Sequence, residues 1–232
     1  MNRTLVFFVY KILIISTLLL LINTILYAKK ISSLNESQII SALNSHYGER
    51  AGKRGKAWFR LMDDSYLLDE QIQLEKVNNF FNLLHFTDDI KLWGVSNYWA
   101  TPIEFLGVNA GDCEDFAIAK YFTLLELGIP DKKMRISMVK AVTFNQYHMV
   151  VAYYNTPSSV PLILDNINGK IKPATKRKDL IPIYSFNGKQ LWLNKKKSQD
   201  VLAGKSQRLK RWTDLNQRMG ILNLKKPKLR ME

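Results

Sequence analysis

The sequence predicts an α+β fold in which a helical N-terminal part packs on an antiparallel sheet, and three observations lead to it. Apolar residues recur at spacings of three and four from residue 29 to about Leu92, the mark of amphipathic helices. A second helical pattern, from Asp112 to Leu127, carries start and stop signals at its two ends. After it, short runs rich in Val, Ile and Tyr alternate with turn formers and read as consecutive antiparallel strands.

At the N-terminus, Arg3 and Lys11 flank a run that is strongly apolar over 12–28. It reads as a signal peptide over 1–28, or, because it exceeds the usual h-region of about 7 to 15 residues, as an N-terminal membrane anchor. Either way the rest of the chain is expected on the far side of a membrane. Residues 29–194 are expected to form one domain, since 47% apolar content allows one ordinary core. Ile39, Ile40 and Leu43, then Leu61, Leu67 and Leu68, then Val77, Phe80, Phe81 and Leu84 mark its first helical stripes.

The stretch 93–102, dense in large aromatics and turn formers, predicts a loop that lines something. Asp112 is a natural N-cap and Asp115, three residues on, a capping-box partner. Gly128 and Pro130 end the helix after about four turns. Strands are predicted at 135–142, 148–154 and 161–165, with the body ending at Trp192. Beyond it, residues 195–232 hold 12 Lys or Arg against 3 acids, so +9 of the formal +14 lies there. This predicts a basic helical tail with one apolar stripe, Leu209, Trp212, Leu215 and Met219. The body itself is only mildly basic.

Cys113 is the one cysteine, so no internal disulfide can form. A thiol without a disulfide partner in an oxidising compartment is best explained if the thiol is used. In the first turn of its helix it meets free N–H groups and the positive end of the macrodipole, which favour a thiolate. Of the three histidines, His46 and His85 fall where core or surface roles suffice. His148 opens a strand after a polar turn and can present its ring to the sulfur. Asp165 ends the next strand, where it can hold the other ring nitrogen. Cys113 as nucleophile, His148 as base and Asp165 as orienting carboxylate form the predicted triad.

Read together, Trp99-Ala100-Thr101-Pro102, the block 111–121 beginning Gly111-Asp112-Cys113-Glu114-Asp115, His148-Met149-Val150, Leu164-Asp165-Asn166, Asp179-Leu180 and Tyr184-Ser185-Phe186-Asn187 resemble the bacterial transglutaminase-like cysteine proteases of the LapG type. The likeness runs from about Tyr47 to Trp192. It implies a papain-like fold, the triad on Cys113, His148 and Asp165, and a calcium-dependent periplasmic endopeptidase. The implied substrate is a large repeat adhesin, cut near its N-terminus beside a pair of small residues, which controls adhesin release and biofilm attachment. The implied inhibitor is an inner-membrane cyclic di-GMP receptor with a periplasmic domain.

The implied calcium has a physical reading. Asp112, Glu114 and Asp115 crowd negative charge around Cys113 and push its thiolate back towards thiol, which a divalent cation reverses. Asp112 and Glu114 are the expected ligands, Asp115 being taken as the capping partner; the other reading makes all three simple caps of the helix dipole. Asn97 stands where the family pattern favours Asp, which leaves a metal role there in doubt. The Cys113 N–H is the expected oxyanion donor and the Trp99 indole N–H a second, with core packing the other reading of that ring.

Two other functions compete. The same triad can pass its acyl group to an amine, making an acyltransferase, and the basic tail suits a non-enzymatic binding protein. An exported chain rarely meets nucleic acid, so no nucleic-acid partner is expected.

Overall fold

The structure, a computed structural model, describes residues 35–195, 199–220, 222–229 and 231. The segment 1–28 read as a signal or anchor lies outside the described residues. Helix α1 (Glu36–Tyr47) opens on a capping box: the Asn35 side chain accepts the Gln38 N–H at 2.9 Å, and Gln38 accepts the Asn35 N–H at 2.9 Å. Gly48, at φ 100, turns the chain into α2 (Glu49–Asp63), and α3 (Glu70–Phe81) follows. Leu74, Val77 and Phe81 are fully buried as their spacing predicts. Leu67, however, is 91% exposed and sits in the turn between α2 and α3, outside any helical stripe.

The helical pattern expected through Leu92 stops at Asn82, which caps α3. His85–Phe86 is instead a short strand, β1, paired in parallel with β2 (Ala110–Gly111). The pairing continues as the Thr87 N–H donates to the Gly111 carbonyl at 2.9 Å. It sets the start of α4 (Asp89–Leu92) beside Asp112.

Helix α5 (Pro102–Val108) has Pro at its first position and a Thr101–Glu104 capping box. Helix α6 (Cys113–Glu126) is apolar almost all round, and Phe116, Ala117, Ile118, Ala119, Tyr121, Phe122 and Leu124 are all buried. A helix of that kind belongs at the centre of a core. It packs against α3 and α5 and against strands β3 (Met134–Ala141) and β4 (Gln146–Tyr153). Gly128, at φ 89, ends its run.

The sheet has seven antiparallel strands in the order β6-β5-β4-β3-β7-β8-β9. β3, β4 and β5 (Leu162–Leu164) fall within two residues of the three predicted strands at all six of their ends. β6 (Lys172–Pro173) borders β5, and β7 (Leu180–Phe186) borders β3.

The boundary expected near residue 194 does not separate a body from a tail. Strands β8 (Gln190–Lys195) and β9 (Gln199–Lys205) pair across it and extend the sheet. Helix α7 (Lys210–Arg218) then buries Trp212 and Leu215 completely or nearly so. The Trp212 ring lies 5.1 Å from Phe186, 5.5 Å from Phe122 and 5.9 Å from Tyr121, centroid to centroid. The stripe noticed in the sequence closes the core between α6 and β7; its polar face supplies the charge that made it resemble a solvated tail.

Candidate active site

Sheet register brings two of the three predicted residues, His148 and Asp165, together. Val151 pairs with Leu164, so continuing the ladder sets Asp165 opposite Val150, on the same face as His148 two residues away. The two side chains meet: His148 Nε2 lies 2.7 Å from Asp165 Oδ1. That leaves Nδ1 as the ring nitrogen available to a nucleophile. Cys113 begins α6, and its sulfur receives a backbone N–H from Met149, the neighbour of His148 on β4.

Asp165 is 1% exposed. It accepts from the Ile167 N–H at 2.9 Å and from Arg177 Nη2 at 2.7 Å as well as from His148. Burial pushes its carboxyl up, but the His148, Ile167 and Arg177 hydrogen bonds outweigh that and hold it well below the usual carboxylate range. Arg177 is itself fixed by Asp179, its Nε lying 3.0 Å from Asp179 Oδ1. Arg177 was not singled out in the sequence, and its one local signal is the Arg-x-Asp spacing to Asp179.

The surroundings of Cys113 are of opposite character. The thiol donates to Glu114 Oε2 at 3.2 Å. Burial, then the charges of Glu114 and Asp112, push it well above its ordinary value. Ligand atoms of Asp112, Cys113 and Glu114 lie within 4.8 Å of one another, and so do those of Asp89, Asp112 and Asp115. Burial followed by the charges of Asp115, Glu114 and Asp89 raises Asp112 to about 11. Burial likewise raises Asp89 to about 7 and Asp115 well above the usual range. Among the described residues no salt bridge reaches these four carboxylates. Asp89 Oδ1 and Asp112 Oδ1 are buried with no hydrogen-bond partner.

These residues suit a calcium ion. The oxygens of Asp89, Asp112 and Asp115, within 4.8 Å of one another, can share one cation at Ca–O distances of about 2.3–2.6 Å, and a carboxylate set without histidine favours a hard ion. Asp115 behaves as the expected capping partner. Its Oδ2 accepts the Asp112 N–H at 3.2 Å and its Oδ1 the Ala100 N–H at 2.7 Å. Gly111 makes room for it, since a Cβ there would lie 2.4 Å from Asp115 Oδ2. Asp89 is the acid that sequence reading missed: it is distant in the chain and arrives through the β1–β2 pairing. Its Oδ2 accepts the Tyr98 N–H. Asn97, at φ 61, holds the left-handed turn just before that contact, a conformation asparagine tolerates better than most residues.

The aromatic stretch 93–102 does line the site. Trp99 is 6% exposed and stacks on Phe186 at 5.8 Å, and its Nε1–H is buried without an acceptor. The ring therefore packs in the core and also keeps a free donor. The C-terminal segment braces this stretch: Arg218 bonds Glu104 at 2.7 Å and the Tyr98 hydroxyl at 2.8 Å, and donates to the Trp99 carbonyl.

Residues 60–200 match the family model described as bacterial transglutaminase-like cysteine proteinase. EGTA-treated LapG of Legionella pneumophila is 44% identical, covers 80% of this chain and 98% of its own, and superposes with a TM-score of 0.70. Calcium-bound LapG of the same organism is 43% identical, covers 80% of this chain and 99% of its own, and gives a TM-score of 0.69. Comparison with curated protein sequences gives no match.

Proposed function

The chain belongs to the bacterial transglutaminase-like cysteine proteinase family and is a cysteine protease, and from that premise we propose a calcium-dependent endopeptidase that uses Cys113, His148 and Asp165. The observation that carries the reading is the buried His148–Asp165 pair at 2.7 Å, joined to the nucleophile's helix through the Met149 N–H on the Cys113 sulfur.

In this mechanism Cys113 Sγ attacks the scissile carbonyl carbon while His148 takes the thiol proton. The C–S bond forms, the C–N bond breaks, and His148 returns the proton to the leaving amine. Water, deprotonated by the same ring, then releases the acyl group as a carboxylic acid. Asp165 holds the imidazole in one tautomer and one orientation. The Cys113 N–H and the free Trp99 indole N–H serve as donors to the oxyanion. Asp89, Asp112 and Glu114 would hold the calcium ion, with Asp115 supporting them from the helix cap. Held there, a calcium ion would offset the negative field that keeps the proton on Cys113.

The substrate class we assign is the N-terminal region of a large repeat adhesin, cut beside a pair of small residues in the periplasm, so that cleavage controls biofilm attachment. An inner-membrane cyclic di-GMP receptor with a periplasmic domain is the assigned inhibitor. The family resemblance and the export-like N-terminus support both assignments. Incubating the purified chain with the N-terminal fragment of a co-encoded adhesin, with Ca2+ or EGTA and with an added primary amine, tests them. A new N-terminus that requires Ca2+ and carries no amine adduct is expected. An amine adduct on the cleaved carbonyl would make the enzyme an acyltransferase, and an intact fragment would remove the adhesin as substrate.

A further inference from the structure

Lys120 lies seven residues after Cys113 on α6, two helical turns along the same face. It is 0% exposed. A wholly buried lysine is rare unless paired, and here the hydrogen-bond partner is a neutral amide: Nζ donates to Asn82 Oδ1 at 2.7 Å. The same amide donates from Nδ2 to the main-chain carbonyl of Asp165 at 2.9 Å. One turn earlier on α3, the Asn78 side chain donates to the Gly169 carbonyl at 2.8 Å. The end of α3 thus grips the loop that carries Asp165 at two points, and Lys120 fixes the orientation of the nearer grip.

We propose that Lys120 and Asn82 are positioning residues for the triad, a relay from the nucleophile's helix to the backbone of Asp165 that sets where the Asp165 carboxylate meets His148. The inference rests on the triad reading of Cys113, His148 and Asp165. An amide bonded on one side only can rotate; held on the other by Lys120, it keeps its donor on the Asp165 carbonyl. Two further observations fit. Burial pulls Lys120 down to about 7 while the Asp165 charge pushes it back up, so a carboxylate of the triad is the charge that favours the ammonium. The Lys120 ammonium also stands 5.9 Å from the Phe116 ring centroid, inside the apolar body of α6. A lysine retained there at a desolvation cost is not explained by packing, because a methionine fills similar space without that cost.

The test uses the full chain in saturating Ca2+ and reads three quantities: the iodoacetamide alkylation rate of Cys113, the chain's one thiol; kcat and KM on the adhesin fragment; and the melting temperature. Lys120→Met and Asn82→Ala are expected to slow alkylation and lower kcat by about 10- to 100-fold, as lost outer-shell partners do. KM should stay within about twofold, and Lys120→Met should melt no lower than the parent. His148→Ala is the control for the underlying reading. If His148→Ala slows alkylation and the two relay variants do not, the relay is wrong and the triad stands. If His148→Ala leaves alkylation unchanged, the triad reading itself fails. Lower activity in Lys120→Met only in proportion to lost folded protein would make Lys120 a purely structural residue and overturn the inference. Asn82→Ala, on a half-buried cap position, keeps the test decisive should Lys120→Met not fold.

Discussion

Asp165 and Asp112 are two aspartates of one active-site region with opposite electrostatics. Asp165 is deeply buried yet held low, because His148, Arg177 and the Ile167 N–H all donate to it. Asp112 is raised to about 11, because its close neighbours are Asp115, Glu114 and Asp89 and one of its oxygens has no partner. Burial pushes both up; the supply of donors decides the outcome. The compensated half has its donors from the protein, and the uncompensated half is a cluster of carboxylates that no salt bridge reaches among the described residues.

The comparison breaks most completely when either half loses its reacting group. Cys113→Ala and His148→Ala should each abolish cleavage, a loss of about 10^6-fold in kcat as for other triads, with circular dichroism unchanged. Near-normal turnover by either purified variant would remove the triad. On the compensated side, Asp165→Ala should cost up to about 10^4-fold. Arg177→Met leaves His148 and Ile167 as donors and should cost about 10- to 100-fold in kcat.

On the uncompensated side the sign reverses. In EGTA, Glu114→Gln should raise the alkylation rate of Cys113 several-fold over the parent in EGTA, since it removes the stronger of the two charges that keep the proton on sulfur. The same variant should need much more Ca2+ for cleavage. A slower alkylation in EGTA would mean that Glu114 acts as a base for the thiol rather than as an uncompensated charge.

An effect on stability and not on catalysis concerns Lys120, whose ordinary 10.5 is pulled down to about 7 in the fold. Between those values the unfolded chain binds the extra proton, so this group makes stability rise with pH from about 7 to 10.5, by up to about 1.4 kcal/mol per pH unit. Below about 7 the burial penalty is fully present. Urea unfolding of Lys120→Met across that range should show a flatter profile than the parent; parallel profiles would place Lys120 in water in the folded state.

The His148–Asp165 pair and the place of Cys113 at a helix start were legible in the sequence because their signals are local: a histidine opening a strand, an aspartate ending the next, a thiol after an N-cap. Strand periodicity then sets His148 and Asp165 on one face, as the Val151–Leu164 pairing bears out. Asp89, Arg177, Asn82 and Lys120 were not legible, since each acts through a partner distant in the chain. Asp89 reaches Asp112 only through two-residue strands that no periodicity reveals. The C-terminal segment misled for a different reason. Its twelve basic residues dominate the composition, while the few apolar ones, Trp212 and Leu215 above all, decide the packing. Charge density describes the solvent face of a helix and says nothing of the other.

The central claim, that the acids around Cys113 are a calcium site on which activity depends, is tested most directly by calorimetric titration of the purified chain with Ca2+ beside a cleavage assay in EGTA. We predict one binding event that Mg2+ does not reproduce, since its rigid octahedral shell fits such a site poorly. The event should be weakened or lost in Asp112→Ala and Asp89→Ala, and cleavage should stop in EGTA and return with Ca2+. Full cleavage in EGTA with no heat of Ca2+ binding would contradict the account and leave the four carboxylates as caps and clasps of the helix that carries the nucleophile.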